Sequence, residues 1–184
     1  MKEKQSGKRK GIRGRDKGRE FELSIAKVFA RWSGTPFKRT PLSGGWDPNV
    51  VSGDVFCVAE YEPKDTDRIR FPFSIEAKDD ESWDFVQLFK GTEKCPLKTF
   101  WRQATRDAKM TKKIPMLVFS KNWTPVFVML QTPILERLSK IVGSSWKTLT
   151  YMVYSISPCE VIVFLLLDDF LKWADFEGVL KLNQ

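Results

Sequence analysis

Three charged side chains occur in two apolar segments where their chemistry could combine. Apolar and polar residues alternate over residues 73–78, which is the period of a half-buried strand, so Glu76 and Lys78 are expected on one face. Asp54 lies 22 residues before Glu76, in another apolar segment. Two carboxylates can hold a hard divalent cation, and an ammonium beside them can orient a water or steady a phosphate. These residue types indicate metal-assisted hydrolysis of a phosphodiester.

The charge of the chain favours a polyanionic partner. The 184 residues carry a formal net charge of +8 at pH 7, with a pI near 9.4. Residues 1–20 contribute nine Lys or Arg and three acids, so +6 of that charge lies in this short segment. Nucleic acid is the first candidate for such a partner, and an acidic membrane surface is the second.

The residue types that are missing exclude several kinds of active site. The chain has no histidine, so a Ser-His-Asp triad, a His-Cys dyad, an HExxH zinc site and a histidine general base are all impossible. Cys57, Cys95 and Cys159 are widely spaced and include no CxxC pair, which predicts reduced thiols in a cytosolic compartment. No uninterrupted apolar run reaches membrane length and no apolar signal core begins the sequence, so we expect a cytoplasmic protein without a membrane span.

The N-terminal region is predicted to be a basic arm followed by a helix. Residues 1–16 are too poor in apolar side chains to fold alone, which predicts a flexible arm that clamps phosphates or only solubilises the chain. Apolar residues recur at three- and four-residue steps over residues 17–32, as in an amphipathic helix. Glu22 falls on its apolar side and Glu20 on its solvated side. Glu22 is therefore the candidate site residue, although a first-turn acid favoured by the helix dipole explains it equally well.

Candidate phosphate ligands lie in and before the next loop. Residues 37–40 are predicted to form a short strand and residues 41–48 a loop rich in Gly and Pro. Arg39, Thr40 and Ser43 offer donors to phosphate oxygens. Contacts to DNA are also predicted for three further basic residues, Lys17, Arg19 and Arg102.

The remaining pattern predicts a sheet with covering helices. The predicted extended segments are residues 50–58, 71–78, 114–120, 125–131, 148–156 and 159–165. The predicted helices are residues 96–111, 133–142 and 166–176, and residues 59–70 form a solvated hairpin. Gln103 lies near the inner side of the helix predicted over residues 96–111. It is either a surface residue or a site residue that holds the attacking water or a phosphate oxygen. A solvated acidic face follows Lys78, and one of its members could serve a second metal position: Asp79, Asp80, Glu81 and Asp84.

The order of these elements resembles the core of the PD-(D/E)xK nuclease superfamily, and within it the small Holliday junction resolvases and their viral relatives. The resemblance covers roughly residues 17–131. It rests on Gly18-Arg19-Glu20-Phe21-Glu22, on residues 39–45, and on Gly53-Asp54, Glu76-Ala77-Lys78 and Gln103-Ala104. It implies an α/β (α+β) fold with a restriction-endonuclease-like core, in which helices flank a mixed central sheet, and it leaves residues 132–184 as a C-terminal extension. One departure is Gly53, which replaces the proline of the superfamily's name.

The resemblance implies a metal-dependent endodeoxyribonuclease that acts on branched DNA, often as a homodimer. Asp54, Glu76 and the Ala77 carbonyl would bind one or two Mg²⁺, for which Mn²⁺ can substitute, and Glu22 would complete the coordination directly or through water. Lys78 would orient the attacking water with Gln103 as an auxiliary, and the products would carry a 5′-phosphate and a 3′-hydroxyl. A restriction-type or DNA-end-processing nuclease and a non-catalytic nucleic-acid-binding protein stay open as alternatives. We expect a cytoplasmic location, in the host cell if the protein is viral.

Overall fold

The computed structural model describes residues 4–41, 51, 53–61, 69–91 and 95–183, with the backbone alone for residues 4–13 and 15. Two predicted features therefore fall outside the described residues. They are most of the loop predicted over residues 41–48, which includes the candidate phosphate ligand Ser43, and the greater part of the hairpin predicted over residues 59–70.

A mixed sheet of seven strands forms the centre of the fold. The strands are β1 Phe37–Arg39, β2 Val55–Cys57, β3 Phe73–Asp79, β4 Ile114–Ser120, β5 Phe127–Gln131, β6 Tyr151–Ser157 and β7 Glu160–Leu166. Their order in the sheet is β1-β2-β3-β4-β5-β7-β6. β3 and β4 are parallel, and every other neighbouring pair is antiparallel. The parallel pair needs a crossover, and the connection between β3 and β4, which contains the long helix Pro96–Met110, provides it. The predicted α/β (α+β) fold with a mixed central sheet and flanking helices is confirmed.

Helices cover both faces of the sheet. They are α1 Lys4–Ser33, α2 Val86–Phe89, α3 Pro96–Met110, α4 Thr132–Val142, α5 Leu167–Trp173 and α6 Phe176–Leu180. α1 packs Ile25 and Phe29 against the face of β3 that carries Ile75 and Ala77, and α4, α5 and α6 join the same hydrophobic core. α3 packs the second core on the other face, where Trp101 is fully buried. Burial of one large side chain of this kind contributes roughly 1.5–3 kcal/mol.

Three predicted boundaries were wrong. α1 begins at Lys4, well before the predicted start at residue 17, because Lys, Arg and Gln are good helix formers that extend a helix once the later apolar turns have nucleated it. The predicted helix 166–176 is two helices, since the Asp175 side chain accepts a hydrogen bond from the Gly178 N–H (2.6 Å) and so starts α6. Among the described residues of the strand predicted over 50–58, only Val55–Cys57 is a strand, because Gly53 (φ +81°) leaves the extended backbone before it and Val58–Glu60 forms a 3₁₀ turn after it.

No helix in the described part of the chain is both long and apolar enough to cross a membrane. The three cysteines are free thiols, with Cys57 and Cys95 buried and Cys159 exposed. The predicted division into arm, core and extension stays a prediction.

Candidate active site

The pairing of β2 with β3 brings Asp54 beside the Glu76 segment. Val55 lies opposite Ile75, and the Asp54 N–H donates to the Ile75 carbonyl at 2.7 Å. The Asp54 carboxylate then accepts the Ala77 N–H at 2.9 Å through Oδ2. Gly53 makes this approach possible: it has φ +81°, and a Cβ at that position would collide with the Ile75 carbonyl. The expected meeting of Asp54 with the Glu76 strand is observed.

Glu76 and Lys78 lie on one face of β3, as their spacing predicts. The Lys78 Nζ is 2.5 Å from Glu76 Oε1. Only 2% of the Glu76 residue is accessible to solvent, whereas a quarter of the Lys78 side chain is accessible. The carboxylate is therefore held deep in the fold while its ammonium partner reaches the surface, where a phosphate could approach it.

Gln103 reaches the same carboxylate from α3. Its Nε2 donates to Glu76 Oε1 at 2.5 Å, so one oxygen of Glu76 receives hydrogen bonds from both Gln103 and Lys78. The sequence left Gln103 open as a surface residue or as an auxiliary that holds the attacking water or a phosphate oxygen, and in the structure its contact is to Glu76. Its geometric role is to fix the orientation of that carboxylate.

The electrostatics of these groups are dominated by burial and mutual repulsion of carboxylates. Burial, together with the charge of Asp54, raises the pKa of Glu76 to about 7. Burial also raises the pKa of Asp54, although Lys78 and the Ala77 N–H oppose the shift. Burial alone would lower the pKa of Lys78, but the charges of Glu76 and Asp54 outweigh it and raise that pKa. The site contains more negative charge than its single lysine offsets.

Glu22 is attached to the edge of this group. It forms an ion pair with the Arg39 side chain of β1. Burial and the charge of Asp54 raise the pKa of Glu22, while Arg39 opposes that shift. Glu20 is exposed, so the choice of Glu22 as the inward acid agrees with the structure, and its part in metal binding stays a prediction.

The residues predicted to contact DNA fall into different environments. Arg19 and Arg39 line an open cleft of about 450 Å³ between α1 and β1, together with the cations Lys27 and Lys38. Thr40 donates its hydroxyl to the Gly53 carbonyl (2.8 Å) and so supports the turn that carries Asp54.

Lys17 and Arg102 lie away from the cleft between α1 and β1. The Lys17 Nζ lies 3.1 Å from Asp79 and 2.7 Å from Glu81, which fastens α1 to the end of β3. Arg102 is exposed on α3.

The acids after Lys78 have local partners. Lys17 pairs with Asp79 and Glu81, while Asp80 accepts the Ser82 N–H (2.7 Å) and Asp84 accepts the Val86 N–H (2.9 Å). These contacts cap turns and join elements, which gives the acidic face a structural role.

Asp107 is a site residue that sequence reasoning missed. It lies on α3, one turn after Gln103, and its charge raises the pKa of both Asp54 and Glu76. A carboxylate one turn from Gln103 on the same side of the helix is the signal that could have identified it.

The donor set fits a hard cation that prefers oxygen ligands. Asp54, which is partly buried, and Glu76, which is buried, are neighbouring carboxylates whose pKa values are raised by loss of solvent, and a divalent cation would offset their repulsion. No group of three or more Asp, Glu, His or Cys side chains within the described ranges is arranged to hold an ion. The remaining ligands would therefore be backbone carbonyl, water or substrate oxygens, which is common for Mg²⁺.

Comparison with known proteins identifies one family. The sequence profile of the family described as "Phage putative PDDEXK endonuclease" matches residues 13–180, which includes nearly all of the predicted C-terminal extension. No curated protein and no solved structure matches the chain. With Asp54 and the Glu76-Ala77-Lys78 triplet joined on adjacent strands, and with a family match over nine-tenths of its length, the chain belongs to the PD-(D/E)xK endonuclease family of phages.

Proposed function

We propose that the protein is a Mg²⁺-dependent endodeoxyribonuclease that hydrolyses phosphodiester bonds at the β2–β3 site. The observation that carries this proposal is the Asp54 carboxylate bonded to the Ala77 N–H between Glu76 and Lys78, two residues that form a 2.5 Å ion pair. This places two acids and an ammonium within one site on two adjacent strands. Membership of an endonuclease family supports DNA as the substrate.

Each residue of the site has a distinct task in this proposal. Asp54, Glu76 and the Ala77 carbonyl would hold the cation, with Glu22 contributing directly or through water. A cation held by these residues would supply Lewis-acid activation of the attacking water and would neutralise charge on the phosphate. Lys78 orients the water and offsets charge that develops on the phosphate. Its ammonium can approach both groups because a quarter of the side chain is accessible to solvent. Gln103 positions Glu76, and the products carry a 5′-phosphate and a 3′-hydroxyl.

The cleft between α1 and β1 is the proposed path of the strand that is cut. Its rim contributes four cations, Arg19, Lys27, Lys38 and Arg39, and Arg39 connects the cleft to the site through its ion pair with Glu22. Its apolar floor includes Leu23 and Phe37. Cations above an apolar floor suit a nucleotide, whose phosphate is anionic and whose base is apolar on its faces.

The central test separates binding from cleavage. Asp54→Asn and Lys78→Ala should each keep DNA binding and lose Mg²⁺-dependent cleavage of a labelled DNA, because the fold and the cationic cleft are retained. EDTA should abolish cleavage by the unchanged protein, and Mn²⁺ should restore it. Near-normal cleavage by either variant would overturn the mechanism, and binding without cleavage under every metal condition would favour a DNA-binding protein with an idle site.

A preference for branched DNA and assembly as a homodimer belong to the same proposal. They derive from the resemblance to Holliday junction resolvases. Cleavage rates on a four-way junction and on a matched linear duplex test the first, and equal rates would contradict it. The solution mass of the protein with and without the junction tests the second, since a monomer under both conditions would contradict it.

A further inference from the structure

A second cationic cleft lies on the far side of α3. It has a volume of about 350 Å³ and is formed by α3 with the end of β6 and the start of β7. Four cations of α3 line it: Lys98, Arg102, Arg106 and Lys109. No proposed step of cleavage uses this cleft.

Helical geometry separates this cleft from the active site. Residues 98, 102, 105 and 109 follow one another at steps of four, three and four, so Lys98, Arg102, Thr105 and Lys109 form one stripe along α3. Gln103, whose amide bonds Glu76, is turned to the opposite flank. The buried Trp101, Ala104 and Ala108 lie between the two flanks and face the sheet. α3 therefore separates the active site, on one of its flanks, from the cationic cleft on the other.

The chemistry of the cleft suits an anion. Glu160 is the one acid among its lining residues, and its Oε1 already accepts the Trp101 Nε1–H at 2.7 Å and lies 3.5 Å from the Gln131 amide. The Thr105 hydroxyl is buried at the wall of the cleft and has no hydrogen-bond partner among the described residues, which is unusual for a buried polar group. Lys98 lies over the ring of Tyr154, 5.5 Å from its centroid, which holds the ammonium at the cleft.

The dimensions of α3 match those of a DNA groove. From Lys98 to Lys109 the helix rises about 16 Å, which is enough to face several successive phosphates of one strand. A helix with its side chains is about 10–12 Å wide, and the major groove of B-form DNA is about 12 Å wide. When one strand enters the active site, the backbone across the groove can reach the opposite flank of α3.

We propose that the cleft lined by Lys98, Arg102 and Lys109 binds the phosphate backbone of a second DNA strand, one that is not being cut. The proposal rests on the proposed function, because it takes the site at Asp54 as the place where the first strand lies. The second strand is the complement in a linear duplex or a strand of another arm in branched DNA. In both cases the cleft recognises phosphates without reading sequence.

The experiment compares single-stranded with double-stranded DNA in a protein that cannot cut. In an Asp54→Asn background, Lys98→Glu combined with Lys109→Glu is compared with Lys140→Glu combined with Lys172→Glu, which makes the same change in charge at exposed positions on α4 and α5. Fluorescence anisotropy measures the affinity of each protein for a single strand, a linear duplex and a four-way junction over a range of salt concentrations. Thermal midpoints check that each variant folds.

We expect the α3 variant to lose about tenfold or more in affinity for double-stranded DNA, with a salt slope reduced by about two, because two phosphate contacts are replaced by repulsion. Its affinity for the single strand should change no more than that of the control variant. If the affinity falls for both the duplex and the junction, the cleft binds the complementary strand. If the affinity falls for the junction alone, the cleft binds a strand of another arm. Equal losses on single- and double-stranded DNA, no loss on any DNA, or no DNA binding by the Asp54→Asn protein would overturn the proposal. Since binding is read without cleavage, an inactive enzyme that still shows the expected pattern would contradict only the proposed function.

Discussion

Two buried pairs of a carboxylate and an ammonium lie at different places in this fold, and their surroundings differ. Lys113 lies 2.6 Å from Glu60, and both side chains are nearly inaccessible, at 8% and 13%. Glu76 and Lys78 form the other pair, in which the Glu76 side chain is more deeply buried, at 2% accessible, and the Lys78 side chain is 25% accessible. Burial raises the pKa of both Glu60 and Glu76.

The neighbours of each pair decide what it can do. Among the described residues, the further charge that acts on Glu60 is Arg70, which lowers the pKa of the carboxyl and so helps to balance it. At Glu76, burial and the further charges of Asp54 and Asp107 together raise the pKa of the carboxyl to about 7, although Lys78 opposes the shift. The first pair is close to neutral and holds elements together. The second carries excess negative charge that a cation would offset, which makes it the functional one.

Removal of the Lys78 ammonium should give the largest effect of the changes considered, and the quantity that it lowers should be the rate of DNA cleavage. Lys78→Met should slow DNA cleavage by about 10³-fold, because the group that orients the water and offsets phosphate charge is lost. The thermal midpoint should change little, because the pKa of Glu76 is already about 7 and the carboxyl can take up a proton when its partner is removed. Single-turnover cleavage and thermal unfolding of the same preparation measure both quantities.

The matching change in the first pair should act on stability. Lys113→Met leaves Glu60 buried without its partner, which should lower the free energy of unfolding by about 3–5 kcal/mol. Cleavage per folded molecule should stay unchanged. The control is Glu60→Gln combined with Lys113→Met, in which no charge is left unpaired and most of the stability should return. Chemical denaturation measures the free energy of unfolding of the wild type, of Lys113→Met and of the double variant. If Lys113→Met is as stable as the wild type, the proposed difference between the Glu60 pair and the Glu76 pair is wrong.

The pH dependence of stability without metal should reveal the excess charge. The folded pKa of Glu76 is about 7, above its ordinary value of 4.5, so the folded state keeps a proton that the unfolded state has released. Stability in EDTA should therefore fall as the pH rises from about 4.5 to 7, by on the order of 2–3 kcal/mol. Glu76→Gln should flatten this slope, and denaturant midpoints across that range test it. An equal slope in the variant would show that another group is responsible.

The smallest effect is expected from Gln103. Gln103→Ala removes the hydrogen bond that orients Glu76, so cleavage should fall by about tenfold while DNA affinity is kept. Gln103→Glu is the informative partner, because an added carboxylate beside Glu76 should reduce cleavage further. Equal cleavage rates for the two variants would argue against this electrostatic reason.

Much of the site could be predicted from the sequence because its geometry is that of a strand. Period-two alternation fixes Glu76 and Lys78 on one face wherever that strand lies in the sheet, and the structure agrees. Glu22 could likewise be distinguished from Glu20 by its apolar neighbours three, four and seven residues later.

The parts that were missed depend on tertiary contacts. Asp107 acts on Asp54 and Glu76 because α3 packs against β3, so its position one turn after Gln103 identifies it only once Gln103 is assigned to the site. The ion pairs of Lys17 with Asp79 and Glu81 are also tertiary contacts that the sequence did not reveal, and its predicted contact with DNA stays a prediction. The early start of α1 reflects helix propagation from residues with good propensity, which a rule based on apolar content does not detect.

The most direct test of a divalent cation site at Asp54 and Glu76 is a Mg²⁺ titration of the DNA-free protein, with the thermal midpoint measured at each concentration. The midpoint of the wild type should rise progressively, because a ligand that binds only the folded state stabilises that state more as the ligand concentration increases. Asp54→Asn and Glu76→Gln should show little or no rise. A rise of equal size in the wild type and both variants, or no rise in the wild type, would contradict a cation site at Asp54 and Glu76.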